Sequence, residues 1–172
     1  AGKVWLGAIA DGLHRFDPEN GQYISFRHDP DTPNSLTSDG ILSLCWDQSG
    51  ILWIGTKNGL NRYDPETNHF ISYALGKQFP HKSDDNWIFS IYEDHSEILW
   101  LGTGAGGLKR FDRHTKKFTS YRHDPGNVGS ISDNTVMCIF EDRAGLIWAG
   151  TWRGINIIDH RKAQFENIKS HP

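Results

Sequence analysis

The stretch Asp47-Gln48-Ser49-Gly50-Ile51-Leu52-Trp53-Ile54-Gly55-Thr56, continued by Gly59-Leu60-Asn61-Arg62-Tyr63-Asp64 and Phe70-Ile71-Ser72-Tyr73, recurs through this 172-residue chain. Its tetrapeptide core returns as Trp5-Leu6-Gly7-Ala8, Trp53-Ile54-Gly55-Thr56, Trp100-Leu101-Gly102-Thr103 and Trp148-Ala149-Gly150-Thr151, at intervals of 48, 47 and 48 residues. Each copy is followed by Gly and an aliphatic residue, then by a hydrophobic-Asp pair: Phe16-Asp17, Tyr63-Asp64, Phe111-Asp112 and Ile158-Asp159. Tyr23, Phe70, Phe118 and Phe165 follow in register, and Asp47, Asp94 and Asp142 each stand six residues before a Trp.

A period near 47 residues suits helical arrays as well as propeller blades, so local pattern must arbitrate. The segments 41–47, 52–56, 59–64 and 70–75 are short, rich in β-branched and aromatic residues, and separated by turn chemistry such as Gln48-Ser49-Gly50 and Lys57-Asn58-Gly59. Four strands per unit is the blade count of a β-propeller. The expected fold is therefore all-β: four-stranded antiparallel blades forming a partial propeller of about four blades. The expected divisions are an incomplete blade 1–36 lacking its inner strand, then blades 37–83, 84–131 and 132–172. Such an arc is expected to be part of a larger ring, or to self-associate through its open blade ends.

The first strand of each unit, from Ile41, Ile88 and Val136, is apolar on both faces and reads as an inner strand between neighbouring blades. Trp5, Trp53, Trp100 and Trp148, with Gly55, Gly102 and Gly150, read as framework filling the space between blades. Trp46, alternating with Leu42 and Leu44, reads as core, and Cys45 and Cys138 as small buried hydrophobes. Asp47, Asp94 and Asp142 precede tight turns and are assigned to side-chain bonding with the turn backbone.

Composition excludes several classes. With 37% hydrophobic and 23% charged residues the chain is neither disordered nor rich in long apolar runs, and no stretch approaches a membrane span. A net charge of -3 and the absence of a clustered basic stripe argue against nucleic acid. Two cysteines make no disulfide framework or zinc site. The nine histidines include a duplicated turn, Arg27-His28-Asp29-Pro30 and Arg122-His123-Asp124-Pro125, rather than a ligand set. Ser35 and Ser130 recur together and read as structural. No metal, no cofactor and no catalytic residue is expected.

The pattern Asp-x-x-Gly-x-x-Trp-x-Gly-Thr, then Gly-Leu-x-x-Tyr/Phe-Asp and Phe-x-x-Tyr, resembles the two-component regulator propeller repeat. The likeness spans nearly the whole chain; Ala8, Glu97, the 104–107 loop and Ile158 depart from it. The resemblance implies a non-catalytic periplasmic sensor propeller of a two-component receptor, probing a small ligand such as a carbohydrate, with any kinase or cyclase in domains outside this chain. The alternatives are a protein-interaction scaffold, or part of a propeller polysaccharide lyase or glycosidase.

With the framework subtracted, ligand recognition falls to loops between the second and third strands and between blades. Trp152-Arg153, an aromatic beside a guanidinium, suits sugar stacking with carboxylate binding. Trp87, at the end of the 76–86 loop, and Lys57-Asn58, at the Trp152-Arg153 position of another repeat, complete the candidate set.

Overall fold

A computed structural model describes residues 2–73, 75, 83–159 and 164–168. The repeats fold as antiparallel sheets with neighbouring strands paired in chain order. The first sheet has three strands, β1 (Val4–Ala8), β2 (Gly12–Phe16) and β3 (Tyr23–Phe26). The second holds β4 (Ile41–Trp46), β5 (Leu52–Thr56), β6 (Gly59–Asp64) and β7 (His69–Tyr73). The third, β8 (Ile88–Glu93), β9 (Leu99–Thr103), β10 (Leu108–Asp112) and β11 (Lys117–Tyr121), follows a 3-10 turn at Ser83–Asn86. The fourth holds β12 (Val136–Glu141), β13 (Ile147–Thr151), β14 (Gly154–Asp159) and β15 (Gln164–Ile168). These are propeller blades, the first short of its innermost strand.

The glycine opening each third strand has positive φ, 83° at Gly12, 107° at Gly59, 79° at Gly107 and 141° at Gly154. That conformation is open to glycine at no steric cost and makes the loop between second and third strands tight. The first strand of each full blade carries a register shift at the same place, between Ile41 and Ser43, Ile88 and Ser90, and Val136 and Cys138. A bulge inserts one residue and redirects its side chain, here Leu42, Phe89 and Met137.

Blades are sealed to one another by an aromatic cluster built from equivalent positions. Between blades one and two, the Tyr63 ring lies 4.7 Å from Trp5, 5.8 Å from Phe26 and 5.6 Å from Phe70. Between blades two and three, Phe111 lies 5.9 Å from Trp53, 5.1 Å from Tyr73 and 4.5 Å from Phe118. Between three and four, Trp100 stacks on Tyr121 at 6.0 Å, and Tyr121 meets Phe165 at 5.4 Å. Backbones approach closely beside these rings. A Cβ on Gly55 would stand 2.8 Å from Ile88 O, and one on Gly102 would stand 2.7 Å from Val136 O, each in the next blade. The repeated Gly after Trp therefore lets the second strand of one blade rest on the inner strand of the next.

Three expectations are corrected. Trp46 is 55% exposed rather than core. At its position the other blades carry Glu93 and Glu141, which accept the backbone N–H of Gln48 (2.6 Å) and His95 (3.0 Å) from the preceding blade's first turn. Among the described residues, the sheet preceding Trp46 has three strands and presents no such turn to cover it. Cys138 is exposed and Cys45 half-buried; Cys138 lies on the last sheet, whose far face no described blade covers. The inner strands are half-buried rather than sandwiched throughout, β12 least of all.

Candidate functional site

The repeated Asp is a connector as well as a turn residue. Asp94 Oδ1 accepts the N–H groups of Ser96 (2.9 Å) and Ile98 (3.0 Å), while Oδ2 accepts the indole N–H of Trp100 at 2.7 Å. Asp47 repeats this with Ser49, Ile51 and Trp53 Nε1 (2.9 Å), and Asp142 with Ala144, Leu146 and Trp148 Nε1 (2.8 Å). The bond from the Trp148 indole, then the Leu146 amide, holds the Asp142 carboxyl below the ordinary carboxylate value. The backbone half of this role follows from sequence; the indole half is visible only as the constant spacing of six residues.

The duplicated His-Asp-Pro loops are also framework. His28 N–H is accepted by Asp39 and His123 N–H by Asn134, their rings bond to Leu36 O and Ile131 O, and Ser35 and Ser130 each bridge the turn. Asn61 and Asn156, both fully buried, hold the interblade segments through Thr37 and Ser132. Lys109 takes that position in the third blade and donates to Ser120 Oγ at 3.0 Å; burial, then the nearby Arg122, pushes its pKa down. Among the described residues no group of three His, Cys, Asp or Glu is arranged to hold a metal.

The loops outside the framework meet at one end of the strands. The residue after each repeated Thr donates its N–H to the residue ahead of the inner strand: Lys57 to Gly40 O (2.8 Å), Gly104 to Trp87 O (3.0 Å) and Trp152 to Thr135 O (3.0 Å). The Thr hydroxyl closes the same loop, from Thr56 to Gly59 O, Thr103 to Gly107 O and Thr151 to Gly154 O. Sequence positions far apart are thereby placed side by side.

Between the third and fourth blades this end opens into a groove of about 400 Å3 lined by Trp87, Phe89, Asp133, Met137, Trp152 and Arg153. Trp152 is 75% exposed. Arg153 Nε lies 3.4 Å from Asp133 Oδ2, the arginine side chain largely exposed and the aspartate mostly buried, and such a half-solvated pair adds little to stability. Thr135 fixes the floor, its hydroxyl on Gly104 O at 2.8 Å and its N–H on Asp133 Oδ1 at 2.7 Å. The Lys57 ammonium extends the surface, 5.5 Å above the Trp87 ring centroid. Its stem passes over Gly40, where a Cβ would meet Lys57 Cδ at 2.6 Å.

Of the five residues expected from sequence, Trp87, Trp152, Arg153 and Lys57 form this continuous surface. Asn58 does not join them: its side-chain amide donates to Thr37 O at 3.2 Å. Residues 76–82 of the loop leading to Trp87 lie outside the described residues. Phe89, Met137 and Asp133 were missed. Phe89 and Met137 are the bulged residues of β8 and β12, and a bulge leaves no mark in hydrophobic alternation.

The sequence profile described as two component regulator propeller matches residues 35–58, 82–105 and 130–153. No curated protein matches the chain. Among solved structures, the extracellular domain of a hybrid two component system from B. thetaiotaomicron superposes with a TM-score of 0.81 at 23% identity, over 98% of this chain and 21% of its own. A second such domain from the same organism gives 0.79 at 22%, over 95% and 21%. Virginiamycin B lyase from Staphylococcus aureus gives 0.70 at 15%, over 99% of this chain and 53% of its own. The chain thus spans about a fifth of the length of the two extracellular domains, and at these identities the likeness is one of fold.

Proposed function

We propose that the chain, three segments of which match the two component regulator propeller profile, is a non-catalytic, ligand-recognising arc of an extracytoplasmic sensor, and that its ligand is a carbohydrate held in the groove of Trp87, Trp152 and Arg153. The observation that carries this reading is the convergence of two tryptophans from different blades, one of them 75% exposed, beside an exposed guanidinium. Flat indole faces cover the apolar face of a sugar ring at low entropic cost, and Arg153 and Lys57 suit hydroxyl or carboxylate oxygens. Occupancy would act by favouring one arrangement of the larger receptor over another. At 15% identity the likeness to a lyase is one of fold and adds no support for catalysis.

Titration calorimetry of the chain against oligosaccharides of glucose, xylose, arabinose and uronic acids tests this. A ligand is expected to lose about tenfold or more in affinity on Trp152→Ala, the scale of one stacking contact with its buried area. Equal affinity in wild type and variant would overturn the assignment of the groove.

Apolar side chains exposed on the first and last sheets, Val4 and Leu6 on one and Phe140, Ile155 and Ile168 on the other, favour self-association of the isolated arc through those faces. Light scattering after size exclusion is expected to give a discrete dimer; a monomer of 19.5 kDa at high concentration would exclude it.

A further inference from the structure

We propose that the seam between the second and third blades holds an oxyanion on Arg62 and Lys116, at the strand ends opposite the groove. Two seams of this chain, built from equivalent positions, make the case. In the seam between blades one and two, Arg15 donates to Tyr63 Oη at 2.7 Å and to Asn68 Oδ1 at 3.2 Å, and Tyr63 Oη donates to Asn68 Oδ1 at 2.6 Å. The guanidinium of one blade is thus received by the third strand and the following turn of the next.

In the next seam Arg62 stands where Arg15 does, Phe111 where Tyr63 does, and Lys116 where Asn68 does. The two turns share a left-handed residue at this position, Asn68 with φ 57° and Lys116 with φ 56°. The surrounding rings are matched too, with Trp53, Tyr73 and Phe118 replacing Trp5, Phe26 and Phe70. What has gone is the pair of acceptors. Phe111 has no hydroxyl, and Lys116 brings a second cation to the place of an amide oxygen. Those acceptors serve a terminal nitrogen of Arg15; in addition, Arg62 Nε is buried with no hydrogen-bond partner, an arrangement that native structures avoid unless something else supplies the acceptor.

The site is concave. Arg62 and Lys116 line a cleft of about 340 Å3 together with Trp53, Tyr73, Arg113 and His114. Arg113 is already paired, with Asp47 Oδ2 at 2.6 Å and Glu93 Oε1 at 2.7 Å. Glu97, also on the cleft, lies 3.5 Å from Arg113 rather than on Arg62. Asp64, whose charge Arg62 feels, bonds its own turn through Thr67 and Glu66. Two cations of opposite blades therefore face a cavity whose nearby carboxylates are engaged elsewhere, and a sulfate or carboxylate group entering it would bridge the blades as Tyr63 and Asn68 do in the neighbouring seam.

The whole chain is to be titrated with inorganic sulfate and, separately, with D-glucuronate, at ionic strength matched with sodium chloride, following heat and thermal midpoint. Binding of either anion beyond chloride is expected; sulfate alone assigns a tetrahedral ligand, glucuronate alone a carboxylate. Lys116→Asn, which suits the positive φ of an exposed turn, is expected to weaken binding about tenfold, the worth of one charge-assisted hydrogen bond. Phe111→Tyr combined with Lys116→Asn restores the acceptor pair and is expected to remove the anion response while raising the midpoint in anion-free buffer. Should the double variant fail to fold, the single one decides. A wild-type response no greater than that to chloride, or unchanged affinity in Lys116→Asn, overturns the proposal.

Discussion

Trp100→Ala is expected to lower the stability of the chain by about 3–5 kcal/mol, the cost of emptying a fully buried tryptophan site. Trp100 has no exposed surface and packs in one cluster with Leu108 of its own blade and Ile131, Val136, Ile147, Ile158 and Phe165 of the next. Its loss opens a seam between blades, where the rigid sheets on either side can collapse only by moving as units. Against a typical total of about 5–15 kcal/mol, that leaves a marginal protein. Urea unfolding followed by circular dichroism should show a lower midpoint with unchanged slope. Trp148→Ala supplies the contrast. Trp148 holds the same place in the repeat but is only partly buried, so it should cost clearly less; equal costs would remove the seam-filling account.

The blades were legible because repetition multiplies a weak signal. One Trp-x-Gly-Thr is unremarkable, whereas three in register with a fourth Trp-x-Gly at Trp5 fix strand order, and the strands found at Leu52–Thr56 and Gly59–Asp64 coincide with those expected. Burial within the inner strand was less legible, because it depends on what the neighbouring blade presents. Trp46 looks like core beside Leu44, yet it faces a sheet one strand short. The arginine row Arg15, Arg62 and Arg110 was passed over for a related reason. Each precedes the aromatic-Asp pair and so seems part of the repeat, but its partners sit some 48 residues on, as Tyr63 does for Arg15. The groove was half legible: unrepeated aromatics could be picked out by subtracting the repeat, whereas the bulges that turn Phe89 and Met137 toward them require coordinates.

Asp94→Ala carries the second large expected effect, a loss of about 3 kcal/mol or more, since one carboxylate serves three donors and removing it leaves a buried indole N–H unpaired. Asp94 is itself almost wholly buried, so water cannot readily replace it. Asp94→Asn separates the two halves of the role. Its carbonyl oxygen can still receive the Ser96 and Ile98 amides, but its NH2 then faces the donor of Trp100, so the cost should be intermediate and confined to the indole. A Trp100→Phe background deletes that donor, and in it the Asn penalty should shrink; an unchanged penalty would mean that the indole bond contributes nothing. The equivalent Asp142 extends the test to pH. Its folded-state pKa is depressed by the Trp148 indole, so its contribution is fully present above the ordinary carboxylate pKa and is lost as pH falls through the lower folded value. Asp29, Asp64 and Asp112 are depressed in the same sense by their turns. The urea midpoint should therefore fall below about pH 4, and Asp142→Asn should flatten part of that fall while leaving the share of the other three.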